Sequence, residues 1–390
     1  MRRIARLALV PLLALLGCAH SPRMATVPAL PPPTAIDDEV ARAMATTGAK
    51  GLALAVIDQG KIVYVRSYGL RNAKGDRLRD DTIMYGASLT KAVFAYTVMQ
   101  LVEEGKLDLD TSIDRYLPNP LPAYTEPDVE DRYARWSDLA GDDRWRKLTP
   151  RILLTHSSGF ANFGFLEPDG KLRFHFEPGT RYAYSGDGLI LLQFVLERGL
   201  GLDLGAEMQR RVFDRFGMTR TSMMWRADFA DNLADGWDMA GKTEPHDERS
   251  AVRAAGSMDT TISDFARFAA GFARGEGLSP NSRAEISRPQ LPITTRTQFP
   301  TLQPELPIAE RRADLAAGLG VIAFTGPQGP GFEKGGHNDV TGNTWVCVEA
   351  RRSCVVLLSN DVRAEAAFPG LVRFILGPTG APYEFTKNVP

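Results

Sequence analysis

The chain has 390 residues, of which 44% are hydrophobic and 24% are charged, as is usual for a soluble globular protein. Its 46 basic and 47 acidic residues leave a formal net charge of −1, so there is no large field of one sign, and nucleic acid is excluded as an expected partner. Length alone allows about two or three domain-sized units.

Residues 1–17 are typical of a secretory signal peptide, because MRRIAR is basic and LALVPLLALLG is an apolar run too short to span a bilayer. The run ends in Leu15-Leu16-Gly17-Cys18, which resembles a bacterial lipobox, where the cysteine is lipidated and becomes the mature N-terminus. Ala19 replaces the aspartate that usually retains a lipoprotein in the inner membrane. We therefore expect a periplasmic protein held at the outer membrane by a lipid on Cys18. The alternative is a plain signal peptide with an incidental cysteine.

Residues 18–35 predict an extended tether, since SPRMATVPALPPPTAIDD is rich in proline and shows no periodicity. The globular part is expected over residues 36–378. Its pattern predicts a strand hairpin at 51–68 and, near the C-terminus, strands in GLGVIAF, TWVCVE and CVVLLSN, followed by a helix at 362–375.

Between these strands lies a long helical middle. The pattern predicts helices over 88–104, 148–155, 188–198, 204–216 and 263–272, the last capped by Ser263, and a loop over 277–306. The simplest arrangement joins the N-terminal and C-terminal strands in one antiparallel sheet, with the helical middle as a second lobe. The predicted fold class is therefore α+β, with a pocket expected between the lobes.

Cys347 and Cys354 lie in two predicted strands joined by a turn at residues 350–352. A hairpin there would place the two cysteines opposite each other, and a cross-strand disulfide could form in an oxidising periplasm. Two unpaired cysteines in the core are the alternative. Neither cysteine is expected to be catalytic.

Ser88 and Lys91 stand three residues apart at the start of SLTKAVFAYTVMQLVEEG. In a helix they share one face, and the apolar residues around them predict burial. A buried ammonium without a partner loses its proton, and a neutral lysine beside a hydroxyl is a general base. The helix N-terminus would also favour an oxyanion at Ser88. The alternative is a serine N-cap followed by a lysine that extends to solvent.

The Ser-x-x-Lys helix resembles the first motif of the serine β-lactamase and penicillin-binding-protein superfamily. The stretches GLALAVIDQGKIVYVRSYGL, LLTHSSGF, GMTRTSM and AAGSMDTTISDFARF are similar, in this order, to segments of the class C β-lactamase-like branch. That branch includes D-alanyl-D-alanine peptidases and family VIII carboxylesterases. The resemblance runs from about residue 36 to about residue 376. It implies a β-lactamase/transpeptidase-like fold and a serine hydrolase without metal or organic cofactor.

The second family motif is Tyr-x-Asn, and the matching residues here are Tyr184-Ser185-Gly186. The resemblance implies that Tyr184 assists proton transfer between Ser88 and the leaving group, with Lys91 holding it near ionisation. Gly186 replaces the asparagine that contacts the substrate's acylamino side, which puts β-lactam hydrolysis in doubt. Asp187 follows directly and is a candidate to replace that asparagine in part.

The third motif is Lys-Thr-Gly or His-x-Gly, and FEKGGHNDVTGNTW offers two registers for it. We favour His337-Asn338-Asp339, in which the backbone N–H of Val340 completes the oxyanion hole with that of Ser88 and Asn338 lies beside the substrate. The other register, Lys334-Gly335-Gly336, keeps both the lysine and the last glycine. Outside the family context, His337 would be a polar residue at a strand edge.

Residues 119–147 have no counterpart in the resembled family and carry four large aromatic residues among many charges. They are either a lid or wall of the pocket or a surface decoration.

Other hydrolase classes fit less well. Ser88 lies in Gly-Ala-Ser-Leu-Thr rather than Gly-x-Ser-x-Gly, and the five histidines lack metal-binding spacing. We therefore predict an acyl-enzyme hydrolase acting on an ester, a D-amino peptide or a β-lactam-type carbonyl. The alternative is a catalytically silent protein that recognises cell-wall peptides. The expected partners are a small-molecule or peptide substrate and, through the lipid, the membrane; the oligomeric state stays open.

Overall fold

The computed structural model describes residues 29–386. The predicted signal peptide, the lipidated Cys18 and most of the tether lie outside the described residues. Among residues 29–386, no helix is both long and apolar enough to cross a bilayer.

A large antiparallel sheet forms the base of the fold. The described residues form twelve strands, of which eight make up this sheet and four make up two separate short pairs. The strands are β1 (Gly51–Asp58), β2 (Lys61–Gly69), β3 (Met84–Tyr85), β4 (Gly236–Trp237), β5 (Thr243–Glu244), β6 (Asp259–Thr260), β7 (Leu291–Pro292), β8 (Leu315–Ala317), β9 (Ile322–Gly326), β10 (Gly329–Asn338), β11 (Thr341–Val348) and β12 (Ser353–Ser359). The sheet has eight strands in the order β2-β1-β12-β11-β10-β9-β8-β7, and β3 pairs with β6 and β4 with β5. The predicted union of N-terminal and C-terminal strands in one sheet, and with it the α+β fold class, is confirmed.

The helices cover both faces of this sheet and form the second lobe. They are α1 (Pro33–Thr47), α2 (Leu89–Glu103), α3 (Pro127–Arg132), α4 (Pro150–Leu154), α5 (Gly186–Phe194), α6 (Leu204–Met208), α7 (Ile262–Arg274), α8 (Pro280–Ser287), α9 (Phe368–Leu376) and α10 (Tyr383–Thr386). One π-helical turn extends α5 over Val195–Gly199, and another extends α6 over Gln209–Phe213.

Strand β1 shows why the sheet needs cover on both sides. Its residues alternate between two cores, as period-two side chains must. Ala53 and Ala55 pack in the core that contains α2 and α7, whereas Leu52 and Leu54 pack in the core that contains α1 and α9. The strand therefore appears in the sequence as a continuous apolar run.

The structure moves several predicted boundaries. Helix α1 begins at Pro33, inside the predicted tether, because proline is tolerated in the first turn of a helix. The fold continues past residue 378 to α10, where Phe385 is buried. The predicted loop 277–306 contains α8 and β7. The cap of α7 is Thr261 rather than Ser263.

Cys347 and Cys354 form a disulfide between the paired strands β11 and β12. Their Cα atoms lie 4.1 Å apart at directly opposed positions of the ladder. Of the two arrangements that the sequence left open, the structure has the cross-strand bridge.

The insertion at 119–147 packs on the helical lobe. Trp136 and Trp145 are fully buried, and Tyr124 and Tyr133 meet the ring of Phe194 edge-on at 4.9 and 5.1 Å. Tyr133 and Arg132 also bind Glu197 in the π-helical turn after α5. The aromatic residues of the insertion therefore form a cap that buries the outer side of α5.

Candidate active site

A cavity of about 860 Å³ opens between the sheet and the helical lobe. Ser88, Lys91 and Tyr184 all line it, although Tyr184 is far from the other two in the sequence. Residues 334–337, at the end of β10, line it as well.

Ser88 lies at the turn that leads from β3 into α2. The preceding Ala87 has φ 47°, in the left-handed region that residues with a Cβ seldom adopt, so the turn is sharp and strained. Ser88 occupies the N-cap position, but its side chain makes no capping hydrogen bond. Its Oγ instead accepts hydrogen bonds from Lys91 Nζ at 2.9 Å and from Tyr184 OH at 2.8 Å. The simple capping interpretation of this serine is therefore wrong.

Lys91 is 2% exposed, and no carboxylate within residues 29–386 pairs with its ammonium. Nζ donates only to Ser88 Oγ and to the backbone oxygen of Ala255. Burial lowers the pKa of Lys91 well below its ordinary value, and the nearby Lys334 lowers it further. The shift favours the neutral amine, which is the form that can accept a proton from Ser88.

Tyr184 is buried with its ring between two lysines. Nζ of Lys91 lies 4.9 Å, and Nζ of Lys334 5.5 Å, from the ring centroid. Burial nevertheless raises the pKa of Tyr184, and its hydrogen bond to Ser88 lowers it by less. The expectation that Lys91 holds this phenol near ionisation is not supported; Tyr184 is a protonated donor.

The close approach of Gly336 to Ser88 favours the Lys334 register of the third motif over the His337 register. Lys334, Gly335, Gly336 and His337 line the cavity, and Gly336 packs against the start of α2. A Cβ at Gly336 would lie 2.6 Å from the oxygen of Gly86 and 3.1 Å from the nitrogen of Ser88. Only glycine permits this approach, so the strand meets Ser88 at the position that this register reserves for glycine.

Val340 is not among the residues that line the cavity. Its N–H donates to Asn338 Oδ1 at 3.1 Å, and a Cβ added at Gly236 would lie 2.4 Å from its Cγ2. The prediction that Val340 supplies an oxyanion donor is therefore corrected, and Asn338 serves the strand turn rather than the cavity. The physical reason is the ladder: Asn338 is the last residue of β10, so Val340 already belongs to the turn into β11.

The His337 side chain turns away from the nucleophile. Its Nδ1 lies 2.9 Å from Glu365 Oε1, and no hydrogen bond joins the imidazole to Ser88. His337 lines the cavity next to Gly336, and its side chain links the strand to Glu365 in the segment before α9.

Lys334 places a second ammonium in the cavity wall. Its Nζ donates to the oxygen of Gly335 at 2.7 Å. Burial lowers the pKa of Lys334 and raises that of the adjacent Glu333, which also lines the cavity. The end of β10 therefore adds a second buried lysine and a buried carboxyl group to the cavity wall.

Gly186 begins α5, and the ring of Phe163 lies directly against it. A Cβ at position 186 would be 2.3 Å from Phe163 Cε1. Burial raises the pKa of Asp187 to about 7, and the hydrogen bond of 2.6 Å that its Oδ2 accepts from the Gly164 N–H lowers it by less. Asp187 does not line the cavity, and its predicted role as a substitute for the missing asparagine is corrected: it anchors the loop that carries Phe163.

The segment LLTHSSGF contains His156, for which the sequence predicts no role. The imidazole is buried and stacks on the Tyr184 ring at 4.3 Å, and its Nδ1 lies 3.1 Å from both the oxygen and the nitrogen of Ser185. Its Nε2 has no hydrogen-bond partner within residues 29–386. Burial lowers the pKa of His156, followed by the charges of Lys91 and Lys334. A neutral imidazole therefore fixes the orientation of Tyr184.

Loop residues complete the cavity wall, and the sequence offered no periodic signal for them. They are Asn162, Phe163, residues 247–251, Arg253, Gln298 and Phe299. No residue of the insertion 119–147, all of which is described, lines the cavity, so the lid interpretation is not supported. A hydrogen bond of 3.0 Å joins Arg253 of the wall to the backbone oxygen of Asp131 in the insertion.

Serine, lysine and tyrosine in mutual contact, on a helix that faces an antiparallel sheet, agree with the match of the Beta-lactamase family model to residues 36–376. The chain belongs to the Beta-lactamase family. The match places the chain in a hydrolase family and confirms the resemblance found in the motifs.

Two curated relatives of this family member are esterases. A lovastatin esterase from Penicillium rubens is 30% identical over 204 residues, covering 45% of this chain and 50% of that protein. Esterase EstB from Burkholderia gladioli is 29% identical over 196 residues, covering 47% and 49%. The chain thus spans about half the length of the curated relatives it matches.

Among solved structures, a D-alanine carboxypeptidase from Burkholderia cenocepacia has a TM-score of 0.67 with 19% sequence identity. The likeness covers 88% of this chain and 98% of that one. At this identity the comparison establishes the fold of the family member.

Proposed function

We propose that the protein hydrolyses carboxylic esters through an acyl-enzyme formed on Ser88. One observation carries the proposal: Ser88 Oγ caps no helix and accepts hydrogen bonds from Lys91 Nζ at 2.9 Å and Tyr184 OH at 2.8 Å. A serine held by a base candidate and a proton donor has the geometry of an activated nucleophile. The two esterase relatives favour an ester over the other acyl compounds.

In the first half-reaction, neutral Lys91 takes the Ser88 proton as Oγ attacks the ester carbonyl carbon. Tyr184 then donates its proton to the departing alcohol oxygen and is reprotonated from Lys91. In the second half-reaction, water loses a proton to the same groups and attacks the acyl-enzyme, releasing the acid and restoring Ser88.

The oxyanion needs donors beside Ser88. The N–H groups of residues 89–91 bond to the carbonyl oxygens of residues 86–88, whereas no backbone hydrogen bond within residues 29–386 uses the Ser88 N–H. We assign the second donor to the backbone N–H of His337, because Gly336 brings this strand against Ser88. His337 therefore keeps a place in the site through its backbone.

The direct test compares wild type and Ser88→Ala with nitrophenyl esters and a fluorophosphonate probe. We expect turnover and labelling of the wild type, and a loss of at least about 10³-fold in kcat with Ser88→Ala. Lys50→Met, which removes an exposed lysine, is the control for handling. No reaction with either protein would favour a binding protein that recognises cell-wall peptides. Faster turnover of nitrocefin or of a D-Ala-D-Ala peptide than of any ester would replace the ester assignment.

We further propose that Cys18 carries lipid and holds the domain on the periplasmic side of the outer membrane. The disulfide Cys347–Cys354 supports an oxidising compartment. Palmitate labelling of the wild type and its loss in Cys18→Ala would support the anchor. Labelling that persists in Cys18→Ala would refute it.

A further inference from the structure

An aromatic strip runs from the cavity to the protein surface beside Tyr184. Phe163 lines the cavity, and its ring stacks on Phe165 with centroids 5.1 Å apart and planes inclined by 14°. Phe165 is 73% exposed, and the adjacent Leu166 is exposed as well. Large apolar residues clustered at the edge of a cavity are a common sign of a binding surface.

The strip is held in place from behind. The oxygen of Asn162 accepts the N–H groups of Gly186 and Asp187 at 2.8 and 3.0 Å, and Asp187 Oδ2 accepts the N–H of Gly164. These bonds tie both sides of Phe163 to the start of α5, two residues after Tyr184. The ring position is therefore set before any substrate binds, which reduces the entropy cost of binding.

The Phe163 ring also leaves no room for a polar side chain at position 186. The Phe163 ring occupies the space that any side chain at position 186 would need, with Cε1 and Cζ 2.3 and 2.4 Å from a Cβ there. A substrate group that binds against this part of the wall therefore meets an aromatic ring. Elsewhere the cavity wall is charged, with Glu248 and Arg253 among its residues.

We propose that Phe163 and Phe165 bind the apolar part of the ester substrate, an alkyl chain or ring long enough to reach from Ser88 to the surface. This inference rests on the proposed ester hydrolysis at Ser88 and names its substrate class. Covering both rings with such a group removes apolar surface from water and adds ring contacts.

The test uses two series of esters, one with a fixed nitrophenol and acyl chains from acetyl to octanoyl, the other with a fixed acetyl group and alcohols of rising length. We expect kcat/KM to rise with length in one series, which identifies the side that the strip binds. In Phe163→Ala, the ratio of kcat/KM for the longest to the shortest ester should fall about tenfold or more. Phe165→Ala should reduce the same ratio by less, because its ring lies farther out.

Ile308→Ala is the matched control, since Ile308 is 83% exposed and does not line the cavity. It should leave the ratio unchanged, and Phe163→Leu should restore part of it. If Phe163→Ala lowers kcat/KM by the same factor for all esters, or if the wild type shows no length preference in either series, the inference is wrong.

Binding to Ser88→Ala separates this inference from the proposed function. That variant cannot form the acyl-enzyme, so the affinity for the long ester is measured without chemistry. A length-dependent affinity that weakens about tenfold with added Phe163→Ala, in a protein whose wild type turns over no ester, would sustain the strip and refute the ester hydrolase. Turnover of esters by the wild type, together with affinities for Ser88→Ala that do not depend on chain length, would support the ester hydrolase and refute the role of the strip.

Discussion

The Phe163 ring occupies the space that a side chain at position 186 would need. A Cβ at position 186 would lie 2.3 Å from Phe163 Cε1, closer than non-bonded carbon atoms approach. The asparagine of the family motif is therefore incompatible with the Phe163 ring in its present position. Any variant that restores a side chain at 186 must also move or remove the ring.

A double-mutant cycle tests this relationship. Gly186→Ala alone should lower the free energy of unfolding by about 1–3 kcal/mol, because it overpacks the loop. In the Phe163→Ala background the same change should cost markedly less, giving a coupling of about 1 kcal/mol or more. Urea unfolding of the four proteins measures it, and additive effects would show that the loop moves aside freely. Gly370→Ala is the control, because a Cβ there meets nothing within 4 Å.

Lys334 should tune the pH dependence of catalysis. Its charge lowers the pKa of Lys91, after the larger effect of burial. Because Lys91 must be neutral to accept the Ser88 proton, kcat/KM should fall as pH drops through the Lys91 pKa. Lys334→Met removes the repulsion, so this acidic limb should move to higher pH. A pH–rate profile decides the point, and a limb that stays in place or moves to lower pH would contradict the role given to Lys91. Lys50→Met should leave the limb unchanged.

Val340 and Lys334 can be compared directly as members of the third motif. Lys334→Ala should lower kcat/KM of the folded protein, because it removes a cavity residue. Val340→Ala should leave kcat/KM within about twofold, because the Val340 side chain does not line the cavity and its loss of packing acts on stability. The opposite ranking would contradict the placement of Lys334, rather than Val340, in the cavity wall.

Asp187 should make stability depend on pH. Burial raises its folded pKa from 3.8 to about 7, so between these values the folded state binds more protons than the unfolded state. Stability should therefore fall as pH rises from about 4 to about 7 and then level off. Asp187→Asn can still accept the Gly164 N–H, and it should flatten this slope and stabilise the protein at pH 8 by up to about 4 kcal/mol. Unfolding curves against pH measure it, with Asp131→Asn as an exposed control. A slope unchanged in Asp187→Asn would contradict the assignment.

The insertion should contribute to stability and little to chemistry. Trp136→Ala should cost about 3–5 kcal/mol, because it opens a cavity beside Phe194. Trp136→Phe should cost far less, since the indole Nε1 has no hydrogen-bond partner in the described part of the chain. Both variants, assayed where they are folded, should keep kcat/KM on short esters near that of the wild type. A large loss of kcat/KM in Trp136→Phe would support the interpretation of the insertion as a lid.

Local patterns predicted the elements well where one physical signal dominated. The burial of α2 followed from its apolar residues on all sides, and the hairpin of β1 and β2 from two strand-like runs around Asp58-Gln59-Gly60. The boundaries failed where tertiary packing overrode composition. Pro33 begins a helix because α1 packs on α9, and residues 280–287 form α8 despite their turn-forming composition.

The sequence by itself predicted the contact between Ser88 and Lys91, because the two residues share one helix face and their spacing sets their contact. It also singled out Tyr184, through the motif around it. Only the tertiary structure decided which glycine of β10 meets Ser88, what surrounds Gly186 and Asp187, and which residues form the cavity wall. The physical reason is that contact within a helix depends on local spacing, whereas the approach of Gly336 to Ser88 and of Phe163 to Gly186 depends on how separate segments pack.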